Sequence, residues 1–179
     1  MGGSGSGRHS TFNAKTTVED CLTLSVNRLA RGGMIRRTVW PGSLTWTNTH
    51  TGEQAASAGY TCTESGGEWV FTLIYTVTRH GDEKHEVRLP IRLQVTHPSY
   101  GGVRWWFTCP LVVRGRACER RVGKLYLPPG GLYFGCRHCY DLTYTSCQES
   151  RKYDRLWRLI AAETGFTPEM VKATMDGKS

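Results

Sequence analysis

Four cysteines carry the clearest chemistry in this chain. Cys109, Cys118, Cys136 and Cys139 follow the pattern C-x8-C-x17-C-x2-C. Thiolate sulfur suits zinc, which takes four such ligands in a tetrahedron at about 2.3 Å. The run Cys136-Arg137-His138-Cys139 is a knuckle whose two intervening residues let both sulfurs point at one ion. Between the cysteine pairs lie Leu125-Tyr126-Leu127 and Leu132-Tyr133-Phe134, separated by Pro128-Pro129-Gly130-Gly131. Apolar runs around such a turn predict a β-hairpin. Two cysteine pairs joined by a hairpin make a zinc ribbon holding one structural Zn2+. So small a unit buries little core, so metal binding would supply much of its folding energy. The first pair departs from the usual spacing: eight residues intervene, and Arg114-Gly115-Arg116 is expected to loop out between the ligands. His138 and Cys147 are rival ligands. His138 is expected to point away from the knuckle, and Cys147 to sit at a helix start. Cys21 and Cys62 are expected in the core.

Four thiolates close the coordination sphere, whereas a catalytic zinc keeps an open position. No HExxH, Walker loop or GxSxG pattern is present. The H-x-E…P-C-x-x-C deaminase signature is missing too, because His85 and Glu86 are adjacent and Phe134-Gly135 precedes the knuckle. His80, Asp82, Glu83, His85 and Glu86 cluster at one turn and read as a solvated hairpin tip. No catalytic residue and no enzyme activity are expected.

The net charge of +8 is unevenly placed. Residues 104–158 hold eleven Lys/Arg against four Asp/Glu, while the rest of the chain is nearly balanced at twelve against eleven. A localised basic region suggests a polyanionic partner, most often nucleic acid, DNA or RNA. Arg114, Arg116, Arg120, Arg121, Lys124 and Arg137 surround the expected metal site. Arg151, Arg155 and Arg158 recur at i, i+4 and i+7 of a predicted helix. All nine are candidates for phosphate contacts. Tyr126, Tyr133 and Tyr140 interleave them, as stacking platforms or as hairpin core. The bland alternative is a solvated, solubilising face. A different reading is a protein-interaction adaptor docking on a larger complex, such as RNA polymerase or a phage or defence machine. It rests on the adjacent aromatic residues Trp105-Trp106.

The remaining elements must position these groups. The Gly/Ser-rich start, MGGSGSG, behaves as a flexible coil. A helix is predicted over 18–31: Thr16 and Glu19 have capping-box spacing, Leu22, Val26 and Leu29 recur at helical spacing, and Gly32-Gly33 supplies the stop. From 40 to 96 the pattern turns to strands, with Leu44-Thr45-Trp46-Thr47, then 69–79, then 86–96. In the last, Val87, Leu89, Ile91, Leu93 and Val95 alternate with mostly polar neighbours, so this is an antiparallel meander with one buried face. Pro90 argues for an edge or a bulge. Residues 97–102 are the best candidate boundary. Ser146 and Glu149 open a second capped helix, with Tyr153, Leu156, Trp157, Ile160 and Ala161 as its apolar stripe and Gly165 as its close. Thr167-Pro168 opens a short final helix.

In MGGSGSGR, WWFTCP at 105–110, CERRVGKLYL at 118–127 and YFGCRHCYDLTY at 133–144, the chain resembles a family of uncharacterised bacterial proteins, many from prophage or other mobile elements. The likeness covers most of the chain and is specific mainly in its last third. It implies that the Gly/Ser start is native. It also implies that Cys109 and Cys118 are ligands with an insertion between them, because relatives carry a short knuckle there. It brings no established activity.

The expected fold is therefore α+β: an antiparallel meander with an N-terminal helix, then a zinc ribbon and C-terminal helices. The expected segments are a flexible 1–16, a helix-plus-sheet domain over 17–102, a ribbon over 103–145 and a helical segment over 146–179. There is no apolar run of membrane length and no signal peptide pattern at the start, so a cytoplasmic protein with no membrane association is expected.

Overall fold

The computed structural model describes residues 15–38, 40–47, 51–78, 84–149, 154–167 and 169–170, and the side chains of 148, 149 and 154–157 lie outside that description. Two compact units emerge. One is Asp20–Leu142, and the other combines Met1–Glu19 with Thr143–Ser179. Among the described residues no helix is long and apolar enough to cross a membrane.

The larger unit begins with β1 (Leu22–Ser25) and α1 (Val26–Arg31). The sheet follows with β2 (Gly42–Thr47), β3 (Gln54–Ser65), β4 (Glu68–Thr78), β5 (Lys84–Thr96) and β6 (Arg104–Thr108). Four short strands close the unit: β7 (Val112–Val113), β8 (Arg116–Ala117), β9 (Arg121–Val122) and β10 (Lys124–Leu127).

The order β2-β3-β4-β5-β6-β9 makes one antiparallel sheet, so the expected meander is present and longer than foreseen. Its centre is the β4–β5 ladder from Trp69↔Leu93 to Thr78↔Lys84. There Phe71, Leu73 and Tyr75 meet Val87, Leu89, Ile91 and Leu93 on the buried face. Val95, expected on that face, is exposed where the strand leaves the core. Pro90 pairs with Thr72 of β4. The β6 ladder covers only Leu93 to Thr96, so on its other side Pro90 has no strand to which an amide would donate. Residues 97–102, expected as a boundary, form the connection between β5 and β6 of the same sheet. Gly66 and Gly67, both at positive φ, make the two-residue turn from β3 to β4. Gly42 is needed for space, since a Cβ there would lie 2.3 Å from the Tyr60 ring.

The predicted helix over 18–31 is a correction. Residues Val18–Asp20 form a single 3-10 turn, Leu22–Ser25 are strand, and only Val26–Arg31 are α-helical. Leu22-Thr23-Leu24-Ser25 also reads with period two, and pairing with Lys124–Leu127 settles the ambiguity, from Leu22↔Leu127 to Ser25↔Lys124. Gly33 (φ 65) supplies the left-handed stop, and Met34 N–H bonds to Leu29 O at 2.9 Å. Leu24, Val26, Leu29, Leu125 and Leu127 join the same buried cluster as the sheet's inner face.

In the smaller unit, Thr17 and Thr143 make a parallel bridge, with Val18 N–H donating to Thr143 O at 2.9 Å. Glu19 does not close a box on Thr16. Its Oε2 accepts the Thr145 N–H (3.2 Å) at the start of α2 (Thr145–Glu149). There a carboxylate meets unsatisfied amides and the positive end of the helix dipole. Next comes α3 (Asp154–Thr164), closed by Gly165 (φ 72) as the sequence predicts. Of its expected stripe, Ala161 is buried and Ile160 half-buried; Tyr153, and the side chains of Leu156 and Trp157, lie outside the described residues. Thr167 Oγ1 accepts the Met170 N–H at 3.3 Å, an N-cap for the predicted final helix, whose remainder also lies outside them.

Phe71 is fully buried and stacks on Tyr60 with ring centroids 5.0 Å apart. Phe71→Ala is expected to destabilise the sheet unit by about 3–5 kcal/mol. Urea unfolding followed by tryptophan fluorescence measures this.

Candidate metal centre

Cys109 directly follows β6, and its N–H donates to Arg120 O at 2.9 Å, continuing the β6–β9 pairing of Phe107↔Val122 and Thr108↔Arg121. The eight residues between Cys109 and Cys118 are taken up by a miniature hairpin. Val112 pairs with Ala117 and Val113 with Arg116, leaving Arg114 (φ 51) and Gly115 (φ 75) as a two-residue turn. Positive φ at both turn positions is the geometry that matches strand twist in short hairpins. At its base Cys118 N–H donates to Leu111 O at 2.8 Å, which returns the chain to Cys109. Glu119 then turns the chain at φ 49.

The second pair sits on a turn in which Cys139 N–H donates to Cys136 O at 3.1 Å and Leu142 N–H to Arg137 O at 3.0 Å. This turn is docked on β10 by one two-bond bridge between Tyr126 and Gly135, at 2.7 and 2.9 Å. The expected hairpin of 125–127 with 132–134 is thus a correction. The edge of β10 pairs with β1, and Leu132 and Tyr133 form no strand. Phe134 instead fills the core, stacked on Trp46 (centroids 5.7 Å) and edge-on to Tyr75 (5.7 Å). Tyr75 Oη donates to Leu132 O at 2.7 Å and fixes this segment from the sheet side.

These elements bring the four cysteines together, with all sulfurs within 4.8 Å of one another. The separations are 3.8 Å for Cys109–Cys139, 3.8 Å for Cys118–Cys136 and 3.5 Å for Cys136–Cys139. A tetrahedron with bonds of about 2.3 Å has edges of about 3.8 Å, so the donor set fits a four-coordinate metal ion. The group includes neither His138, which is exposed, nor Cys147, which is exposed on α2. None of the seven cysteines is in a disulfide. Cys62 is core, as expected, and Cys21 is half-buried.

Burial pushes the Cys109 thiol up to about 11, against the pull of the Leu111 and Cys136 amides. Burial, then hydrogen bonding to Cys118 and Cys136, holds the Cys139 thiol well above its usual range. At Cys118 burial acts upward as well, but the Arg120 amide and the neighbouring thiols outweigh it, and its pKa falls below the ordinary thiol value. Thiolates this close repel unless a cation lies between them. Amides already aim at sulfur, as with Cys136 N–H on Cys109 Sγ at 3.3 Å, so the backbone is disposed to stabilise negative charge there.

Of the basic candidates, Arg114, Arg116, Arg120, Arg121 and Lys124 are exposed and Arg137 is half-buried. Arg158 is exposed on α3; Arg151, and the side chain of Arg155, lie outside the described residues. Among the tyrosines, Tyr126 is buried and Tyr140 half-buried, with its hydroxyl on Tyr133 O; Tyr133 is exposed. Trp105 packs edge-on against Trp69 (centroids 5.6 Å) and belongs to the core's margin. Sequence reading passed over Arg88, Arg92 and Arg104. The first two were visible only as polar members of the β5 alternation. No family model, curated protein or solved structure matches the chain.

Purified protein is expected to carry one metal ion per chain by elemental analysis, and Cys136→Ser to lose it. Full metal content in that variant would discard the ligand set. Gly135 stands between the two knuckles, where a Cβ would lie 2.1 Å from Leu111 Cδ1 and 2.9 Å from the Tyr140 ring. Gly135→Ala is expected to cost about 1–3 kcal/mol by overpacking. Chemical denaturation checks the loss, and chelator competition checks the accompanying fall in metal affinity.

Proposed function

We propose that this chain is a nucleic-acid-binding protein whose sheet is clamped by one structural zinc in a ribbon-like four-cysteine site. The metal is zinc on this reading because a closed set of four thiolates at tetrahedral spacing is its usual structural site. A reducing cytoplasm suits four free thiols, and a prophage or mobile-element origin accords with the resemblance described above. Its role is to hold the β6–β9 strands and the second knuckle in register, not to activate water.

The observation that carries the reading is the exposed basic collar of the site. Arg114 and Arg116 stand on the small hairpin, Arg120 and Arg121 follow Cys118, and Lys124 opens β10. Among the described residues no carboxylate forms a salt bridge with any of these five. Exposed guanidinium groups without acidic partners suit phosphate oxygens, and each contact releases counterions. The aromatic pair that motivates the adaptor reading divides: Trp105 packs against Trp69, while Trp106 carries the Arg104 guanidinium 4.2 Å from its ring centroid.

Fluorescence anisotropy of labelled single- and double-stranded oligonucleotides, at several salt concentrations, tests the proposal. Binding is expected to weaken steeply with salt, by a log–log slope of about 0.7 to 0.9 per phosphate contacted. Arg114→Glu/Arg116→Glu/Arg120→Glu should lower affinity at least tenfold. No binding by the parent protein at low salt rejects the nucleic-acid reading, and salt-insensitive capture of a protein partner would favour the adaptor instead.

A further inference from the structure

The face of the main sheet opposite the core carries an arrangement that the metal site does not use. Strand alternation places Arg88, Pro90, Arg92, Gln94 and Thr96 of β5 there, opposite in sense to the buried Val87, Leu89, Ile91 and Leu93. On β6 the same face holds Arg104, Trp106 and Thr108, with Thr96↔Arg104 and Gln94↔Trp106 as cross-strand pairs. On β9 it holds Arg121, paired with Thr108. Arg88, Arg92, Arg104 and Arg121 are all exposed.

Trp106 is the centre of this group. The Arg104 guanidinium lies 4.2 Å from its ring centroid and that of Arg121 5.4 Å away. Its indole N–H donates to Thr96 Oγ1 at 2.9 Å, and beside it Gln94 donates to Thr108 Oγ1 at 2.9 Å. The ring is therefore pinned by its polar edge and presents its π-system to cations. A guanidinium stacked on an indole is preorganised. It is attracted by the ring quadrupole, loses little further entropy on binding, and keeps a second flat surface and several N–H groups for a ligand. The neighbouring positions of β3 and β4 on this face, Thr61, Thr63, Val70, Thr72 and Ile74, are uncharged. Of the carboxylates on the face, Glu68 opens β4, and Glu86 is the third residue of β5, next to Arg88 on the same face.

We infer that this outer sheet face, centred on Trp106 with Arg88, Arg92, Arg104 and Arg121, is a binding platform for single-stranded nucleic acid. The inference rests on the nucleic-acid reading above and extends the contact surface from the basic collar onto the sheet, through the shared Arg121. Charge selects a polyanion, and shape selects its form. The four adjacent strands β4, β5, β6 and β9 span about 14 Å at the usual interstrand spacing, already too broad for a major groove about 12 Å wide. An unpaired strand can lay its bases flat on such a surface and stack them on guanidinium planes and aromatic rings. Duplex DNA offers stacked bases no such contact.

The test uses the full-length, metal-loaded protein and oligothymidylate probes of about 12 nucleotides, within the usual span of a single-strand site. Arg92→Glu/Arg104→Glu is expected to weaken binding at least tenfold and to flatten the salt slope by about 1.4, two single-strand contacts. Arg104→Lys keeps the charge and loses the plane, so it is expected to lose several-fold in single-strand affinity. Photocrosslinking of a 5-bromodeoxyuridine probe to the parent protein should label the peptide carrying Trp106, which needs no variant to fold. Parent protein that binds the probe while the double variant binds equally well, with crosslinks only elsewhere, overturns this inference and leaves the nucleic-acid reading standing. Parent protein that binds no oligonucleotide ends both. Preference for duplex over single strands, with Arg104→Lys indistinguishable from the parent, also overturns the platform.

Discussion

The arrangement turns on four sulfurs held at tetrahedral spacing. They come from three separate segments between residues 109 and 139: the end of β6, the start of the β9 region and the turn after Phe134. None of these stretches has much regular structure of its own. β9 is two residues long, and Leu132 to Phe134 form no strand. Thiolates at such distances repel, so a cation between them converts the least favourable part of the unit into its tightest crosslink. Cys109 and Cys136 are also members of the buried cluster that includes Phe107 and Phe134. A metal ion held there would therefore act on the same residues as core packing.

Backbone pairing explains why the expected ribbon hairpin does not form. β10 has two edges to satisfy. One takes β1 over four residue pairs, and the other keeps a single bridge to Gly135. The strand that would have completed a ribbon hairpin is replaced by an aromatic plug. Phe134 enters between Trp46 and Tyr75, and Trp46 Nε1 donates to Thr23 O at 2.8 Å. That bond ties β2 to β1, so sheet, plug and knuckle form one packed body within Asp20–Leu142.

Much of this was legible in the sequence, for physical reasons. The cysteine spacing, the alternation of β5 and the glycine after α3 are local signals that survive without tertiary context. β3 was missed because QAASAGYTCTES is rich in small residues and weak in β propensity. It is a strand because β2 and β4 pair on both its sides. The helix over 18–31 was misread because Leu22, Val26 and Leu29 fit period 3.6 while Leu22 and Leu24 fit period two, and a partner a hundred residues away decides between them. Glu19 matched a capping box yet caps a different helix. The cation–π cluster of Arg104 and Arg121 on Trp106 depends on which strands are neighbours, which residue spacing does not encode.

The miniature hairpin between Cys109 and Cys118 bears on how such a chain can vary. It is clamped at its base by the Cys118–Leu111 bond, and its strands Val112–Val113 and Arg116–Ala117 are exposed along their whole length. Residues added in pairs, one to each arm, would lengthen it outward and leave the sulfurs where they are. Adding a single residue would swap which side chains face each way. The spacing between these two cysteines can thus change by even steps without moving the sulfurs, and a search pattern with a fixed gap there would pass over any chain that keeps this arrangement with a longer hairpin.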